Sequence, residues 1–202
     1  MPTFPSELRH VLLVGPPGSG KGTLGPHLSE LLGVPHVSSG QLLRASVDHG
    51  DPHHITEQVS RGHMIPDRIV AQVMAEHVAD GFILDGYPRN VRQAEELDRV
   101  LSADGRQVQL VIELVMPDEV ASARLSRRAR MESRSDDNPD TVAARLVTYR
   151  REAVPLLAHY ADRVRRVSAS GDLDEVFERA ERALTSLPKG ARARQGAPSG
   201  DA

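Results

Sequence analysis

The chain has 202 residues, 39% of them apolar and none of them cysteine, with 25 basic against 28 acidic side chains and a net charge of −3. That length suits one ordinary domain with its own core, and the missing cysteine excludes disulfide scaffolds, thiol chemistry and cysteine zinc sites. The charge balance argues against a general nucleic-acid or membrane binder. No apolar run approaches the ~20 residues of a membrane span, and Met1–Arg9 lacks the basic start and apolar stretch of a secretory signal, so a cytoplasmic protein is expected.

In chain order, the apolar run His10–Gly15 reads as a strand, and a glycine-rich loop follows before a helix over Gly20–Leu32. Pro35–Ser38 reads as a strand and Gly40–His49 and Pro66–Ala79 as helices. Strand Gly81–Asp85 precedes helix Asn90–Ser102, and strand Leu110–Val115 precedes helices Pro117–Arg130 and Asp140–His159. A last strand, Arg163–Val167, leads to helix Leu173–Leu187, whose Leu173, Val176, Phe177, Ala180 and Leu184 fall at packing periodicity. Most strands are short and apolar throughout, as strands covered on both faces should be, and their alternation with helices predicts α/β architecture around a parallel sheet. Pro66, Pro117 and Pro139 sit near helix starts, where a missing N–H costs nothing. Residues 188–202, rich in Gly, Pro, Ala and Arg without apolar period, read as a disordered tail.

The strand His10–Gly15 runs into Gly15-Pro16-Pro17-Gly18-Ser19-Gly20-Lys21-Gly22-Thr23 and then a helix. A strand, a glycine loop with inward N–H groups and a helix N-terminus together form a phosphate cradle. Glycines at 15, 18, 20 and 22 are expected to take positive φ, and Lys21 to follow a transferring phosphate. The strict phosphate-loop pattern has Ser or Thr directly after the lysine, whereas here Gly22 stands before Thr23. Lys21 is also one of only two lysines, the other being Lys189, among 23 arginines.

Strand Gly81–Asp85 ends in a carboxylate, followed by Gly86-Tyr87-Pro88-Arg89. Ligands of open α/β sheets bind beyond the carboxyl ends of the strands, which brings Asp85 and Arg89 to the side that holds Lys21. Asp85 suits a water-mediated hold on Mg²⁺ and Arg89 a phosphate clamp. The segment Arg124–Arg134 carries five arginines, either a solvated basic helix face or a set gathered for charge neutralisation. The nine histidines form no metal-ligand pattern and read as surface residues.

Gly15–Thr23, Ser38-Ser39-Gly40-Gln41-Leu42-Leu43-Arg44, Gly62–Val70 and Asp85–Arg89 together resemble adenylate kinase and related nucleoside monophosphate kinases. The likeness continues through Pro117–Arg128, Arg134–Asp137, Arg145 and Pro155–Tyr160. It implies a P-loop NTPase fold with a five-stranded parallel sheet flanked by helices in a single domain over 1–187. A helical flap for the nucleoside monophosphate would span about 38–67 and a short, metal-free lid about 129–138. The implied reaction is reversible transfer of the terminal phosphoryl group of Mg·ATP to AMP, giving two ADP.

By this resemblance Gly18, Ser19, Gly20, Lys21, Gly22, Thr23, Arg124, Arg128 and Gly171 would contact ATP. Ser39, Arg44, His63, Met64, Ile65, Gly86, Tyr87, Pro88, Arg89 and Gln93 would hold AMP, with Gln93 reading the adenine edge. Arg134 and Arg145 would close over the reacting groups, and Asp85 would reach Mg²⁺ through water. ATP and AMP are the expected partners of a short-lid chain that binds neither nucleic acid nor membrane and acts as a monomer. Gln41 stands where the family usually has an aspartate that orders water around Mg²⁺, and an amide lacks that charge. Ser39 replaces a usual threonine, and Asn90 follows Arg89 as in UMP/CMP kinases. A UMP/CMP-type kinase and a low-turnover adenylate-binding sensor therefore stay open as alternatives, with Gln93 favouring AMP.

Overall fold

The computed structural model describes residues 5, 7–50, 65–75, 77–78, 80–132 and 139–186. Strand β1 (His10–Val14) leads through the glycine loop into α1 (Lys21–Leu32), and β2 (His36–Ser38) runs directly into α2 (Ser39–Asp48). Then come α3 (Asp67–Ala75), β3 (Phe82–Asp85), α4 (Val91–Ala103), β4 (Leu110–Val115), α5 (Asp118–Glu132) and α6 (Pro139–His159). A 3-10 turn (Ala161–Arg163) connects to β5 (Val164–Ser168) and α7 (Leu173–Thr185). Each strand lies within one residue of its predicted bounds. Helix α3 ends at Ala75 rather than Ala79, because the chain tightens there: His77 N–H donates to Met74 O at 2.9 Å and His77 Nδ1 to Val73 O at 3.1 Å. Helix α5 runs on to Glu132, past the predicted Arg130, so residues 129–132 of the expected lid are its last turn.

The five strands form one sheet in the order β2-β3-β1-β4-β5, every pair parallel. Central β1 is where the order reverses, which locates the ligand crevice of an open α/β sheet. Register matters for the site: Asp85 is level with Leu13 of β1 and with Ser38 of β2. The carboxylate therefore stands at the strand ends, two residues from the start of the glycine loop.

Period-two alternation sends successive side chains into two layers. Leu12, Val14, Phe82, Leu84 and Val111 pack with Ile69 and Met74 of α3, Leu97 and Leu101 of α4, Leu156 of α6 and Tyr160 just after it. Val11, Leu13, Ile83, Ile112 and Leu114 pack with Leu24 and Leu28 of α1 and Ala180 and Leu184 of α7. Each fully buried side chain of this size contributes roughly 1.5–3 kcal/mol, so both helical layers are firmly anchored. Leu173, placed on the packing face of α7 by periodicity, is 50% exposed at the helix start. Among the described residues no helix is long and apolar enough to cross a membrane.

The end of the sheet opposite the site is closed by one side chain. Gln109 Oε1 accepts the N–H groups of Arg9 (2.8 Å) and His10 (3.0 Å), while its Nε2 donates to Glu7 O (2.6 Å). Gln109 is buried, so truncation strands polar backbone groups where water has little access. Gln109→Ala is expected to lower unfolding free energy by about 2–4 kcal/mol in urea titration; a loss below about 0.5 kcal/mol would show that these groups find other partners.

Candidate active site

The loop between β1 and α1 is built by backbone hydrogen bonds: Ser19 N–H donates to Pro16 O (3.1 Å), and Thr23 and Leu24 N–H both reach Gly20 O (3.0 and 2.9 Å). Gly20 caps α1 in the left-handed region, at φ 90°. Gly18, at φ +81°, is required twice over, since a Cβ there would also lie 2.8 Å from Ala121 O and 3.0 Å from Leu125 Cγ. The loop thus packs directly on α5, the helix that carries Arg124 and Arg128. Positive φ occurs at Gly18 and Gly20 but not at Gly15 or Gly22. Gly22 lies in the first turn of α1, where helical φ is negative, and Gly15 is still leaving a strand. The first-turn N–H groups of α1 lack intrahelical acceptors and point at the loop, with the positive end of the helix dipole behind them.

Lys21 Nζ donates to Gly15 O (2.8 Å), Pro16 O (3.0 Å) and Ser19 Oγ (3.3 Å). Burial of its ammonium, followed by repulsion from Arg89, Arg145 and Arg128, holds its pKa down to about 8, against a raising influence from Asp85. The structure therefore gathers Lys21, Asp85, Arg89, Arg128 and Arg145 into one electrostatic neighbourhood. Arg89 as a whole is solvent-exposed, yet its guanidinium end is crowded by protein. That desolvation, then Arg145, pushes it below the ordinary arginine value, while Asp85 and Asp67 oppose the shift. An arginine stays charged regardless. Asp85 is buried, and His36 Nε2 stands 3.8 Å from its Oδ2.

On the β3 side, Ser39 Oγ donates to Gly86 O (2.8 Å) and accepts from Arg89 Nη2 (3.3 Å), while Arg89 Nε donates to Gly86 O (2.7 Å). Gly86 lies at φ +76°, and a Cβ there would come within 2.7 Å of Ser39 Oγ, so glycine lets α2 approach this turn. The Tyr87–Pro88 peptide is cis. Tyr87 is buried with its hydroxyl toward Gln93 O (3.5 Å), and burial first, then Glu96 and Asp67, pushes its pKa up to about 12. Arg44 reaches back along α2 to Gly40, its Nη1 3.4 Å from where a Cβ would lie. Gln93 is buried, its Oε1 accepting Arg89 N–H (2.7 Å) and its Nε2 donating to Asp67 Oδ1 (2.6 Å).

Other sequence-predicted residues stand at this end of the sheet without a described contact to the cluster. Gly171 follows β5 at φ +97°, in a loop braced by Arg179 Nη1 donating to Ser168 O and Ser170 O. Arg124 lies on α5 beside Glu119, Val120, Ala123 and Arg127 at a shallow surface depression. Ile65 packs at the edge of the core near α3. His63, Met64 and Arg134 lie outside the described residues, as do 51–64 of the flap and 133–138 of the lid.

Two corrections and two omissions stand out. The histidines are not all at the surface: His10 is buried against Phe82, and the His36 side chain is 8% exposed. Neither Nε2 has a hydrogen-bond partner. Sequence reading singles out neither Asp67, which holds Gln93 and Asn90, nor His36, which stands beside Asp85. Asp67 reads in sequence as an ordinary acidic residue in the first turn of a helix, whereas a lone imidazole in the short strand Pro35–Ser38 was a usable signal.

A strand, glycine loop and helix at the switch point of a parallel sheet, with a lysine and arginines around one strand-end carboxylate, define a phosphate-loop phosphotransferase. Comparison with known proteins narrows the class. A family model described as adenylate kinase matches residues 13–165. Adenylate kinase of Thermobifida fusca is 42% identical over 185 residues, covering 87% of this chain and 98% of that protein. Adenylate kinase of Xanthomonas campestris pv. campestris strain 8004 is 43% identical over 183 residues, covering 86% and 98%. The chain belongs to the adenylate kinase family, and so is a nucleotide phosphotransferase of the nucleoside monophosphate kinase type.

The lowered pKa of Lys21 carries a signed prediction. With its pKa held to about 8, the ammonium should lose a substantial share of its proton in the free protein near pH 8.5, and an arriving triphosphate should restore it by adding negative charge. Calorimetry of ATP binding in buffers of different ionisation enthalpy should show uptake of on the order of half a proton at pH 8.5, declining toward zero at pH 6.5. Lys21→Met should abolish it; equal uptake in that variant would assign the proton elsewhere.

Proposed function

We propose that the chain transfers the terminal phosphoryl group of Mg·ATP reversibly to AMP, and that the cluster around Lys21 performs the transfer. The supporting observation is the shared field of Lys21, Arg89, Arg128 and Arg145 around Asp85 at the loop mouth. Phosphoryl transfer needs alignment and charge neutralisation more than acids or bases. The loop residues Gly18–Thr23 and the α1 N-terminus receive the ATP phosphates. Lys21 exchanges carbonyl oxygens for phosphate oxygens and follows the moving group. Arg128 neutralises the donor side, Arg44 and Arg89 grip the AMP phosphate, and Arg145 bridges the two, with Arg134 assigned the same role by resemblance. Arg124 and Gly171 are assigned to the ATP base.

Ser39, Ile65 and Gly86–Arg89 line the acceptor pocket, to which His63 and Met64 are assigned by resemblance alone, and Gln93 reads the adenine edge. A divalent magnesium ion suits this donor set. Among the described residues no three His, Cys, Asp or Glu side chains converge into a protein cage, while Asp85 offers one buried carboxylate at the phosphate loop. A single hard oxygen ligand is how a hydrated ion shared with substrate phosphates is held. Asp85 would hold it through water, and when bound it supplies charge neutralisation on the phosphate oxygens. We assign the enzyme to the cytoplasm as a monomer, one domain over 1–187 with its flap at about 38–67 and its lid at about 129–138; the 188–202 tail of the sequence reading lies outside the described residues.

Asn90, the residue that suggested UMP or CMP as acceptor, has a structural occupation. Its Oδ1 caps α4 by accepting Gln93 N–H (3.0 Å), and its Nδ2 donates to Asp67. Its presence therefore says little about the acceptor. A coupled assay of ADP formation with AMP, UMP, CMP and GMP, with Lys21→Ala as blank, should give turnover dominated by AMP. Turnover led by UMP or CMP, or binding without transfer, would overturn the assignment. Gln41 is exposed on α2 and brings no charge to magnesium-ordered water. Gln41→Asp should raise kcat several-fold, with an unchanged or lower kcat counting against that role.

A further inference from the structure

Gln93 cannot turn its amide around. An amide side chain has two faces that differ only by exchanging O and N, and in solution it presents either one. Here both ends meet groups of fixed polarity. Nε2 lies 2.6 Å from Asp67 Oδ1, and a carboxylate only accepts; Oε1 lies 2.7 Å from the Arg89 backbone N–H, which only donates. The flipped amide would set oxygen against carboxylate and N–H against N–H, with Gln93 4% exposed and little water to relieve either contact.

Asp67 is itself held. It is the first residue of α3, where an anion is favoured by the helix end. Asn90 Nδ2 donates to both its oxygens, at 3.2 and 3.1 Å. Asn90 is in turn fixed as the cap of α4. The chain of donors and acceptors thus runs from a helix cap through a carboxylate to the amide, and every link has one allowed direction.

We propose that Asp67 is a specificity-determining positioning residue: it locks the Gln93 amide in the orientation that accepts a base edge of adenine polarity and rejects the reverse. The proposal rests on the reading of Gln93 as the residue that meets the acceptor base. Once Asp67 and Arg89 have taken their share, the amide has one N–H and one oxygen lone pair left. Adenine offers the complement, an acceptor at N1 and a donor at the 6-amino group. Hypoxanthine and guanine offer the reverse, a donor at N1 and an acceptor at O6, and uracil is likewise reversed. Cytosine shares adenine's polarity, so the lock sorts bases by hydrogen-bond direction and leaves ring size to the pocket walls.

The test compares AMP with IMP, which have the same ring system and opposite polarity at this edge. The full-length protein is assayed as wild type, Asp67→Asn, Asp67→Glu and Gln93→Ala, and kcat/KM is measured for both acceptors. Their ratio cancels any loss of folded enzyme, which a merely structural defect would cause. Wild type should favour AMP by on the order of 10³ or more. Asp67→Asn, whose amide both donates and accepts, should lower that ratio at least ~10-fold, mostly through a lower KM for IMP. Asp67→Glu keeps the acceptor-only polarity and should retain most of the preference.

A ratio that collapses in Gln93→Ala but is unchanged in Asp67→Asn overturns the lock alone. A ratio unchanged in Gln93→Ala overturns the reading of Gln93 beneath it. Should Asp67→Asn fail to fold, Asp67→Ser, whose hydroxyl likewise both donates and accepts, replaces it: a ratio lowered at least ~10-fold supports the lock, and an unchanged ratio contradicts it.

Discussion

Like charges held close together are the constraint on which the rest of this molecule depends. Lys21, Arg89, Arg128 and Arg145 share one electrostatic neighbourhood with Asp85 as the opposing carboxylate. Left to itself such a group would disperse. Burial first, and then these arginines, hold the folded-state pKa of Lys21 at about 8, below its unfolded value, so the charged ammonium costs on the order of 3 kcal/mol at neutral pH. That penalty is present below pH 8 and is relieved as the pH rises from 8 toward the unfolded value. The fold meets the cost with two apolar layers, and phosphate groups would remove it by supplying the missing negative charge.

The sheet makes the arrangement possible. Parallel pairing places the carboxyl ends of β1 and β3 side by side, and the Leu13–Asp85 register sets the carboxylate beside the loop. Gly18 admits α5 against the same loop, so Arg124 and Arg128, the arginines proposed for the ATP side, are carried on a helix in contact with it. Gly86 admits Ser39 in the same way on the acceptor side. Two close backbone approaches, both at left-handed glycines, thus bring two halves of a site onto one rigid sheet.

Much of this was legible in the sequence because its signals are local. Short apolar runs mark strands whatever their neighbours, and a strand, glycine loop and helix need only fifteen consecutive residues to be read. The sheet order was not legible from periodicity, since it depends on which edges pair across the chain. Neither was the pinned amide: Asp67 and Gln93 are 26 residues apart, and each looks ordinary alone. The place of His36 beside Asp85 is likewise made by the neighbouring strand, although an imidazole in so short a strand already marks the position in sequence. The glycine assignment was half right, because sequence shows where a side chain is missing and only the backbone path shows whether positive φ is the reason.

Lys21 is proposed to act on the phosphoryl group in flight, beyond helping ATP to bind. Single-turnover transfer from Mg·ATP to AMP, followed by rapid quench in wild type and Lys21→Met with both nucleotides saturating, tests it most directly. The chemical step should slow by at least ~100-fold while the thermal melt does not fall below that of wild type, removal of the buried ammonium raising it if anything. A transfer rate within about threefold of wild type would contradict it, and would move the transition-state charge to the arginines alone.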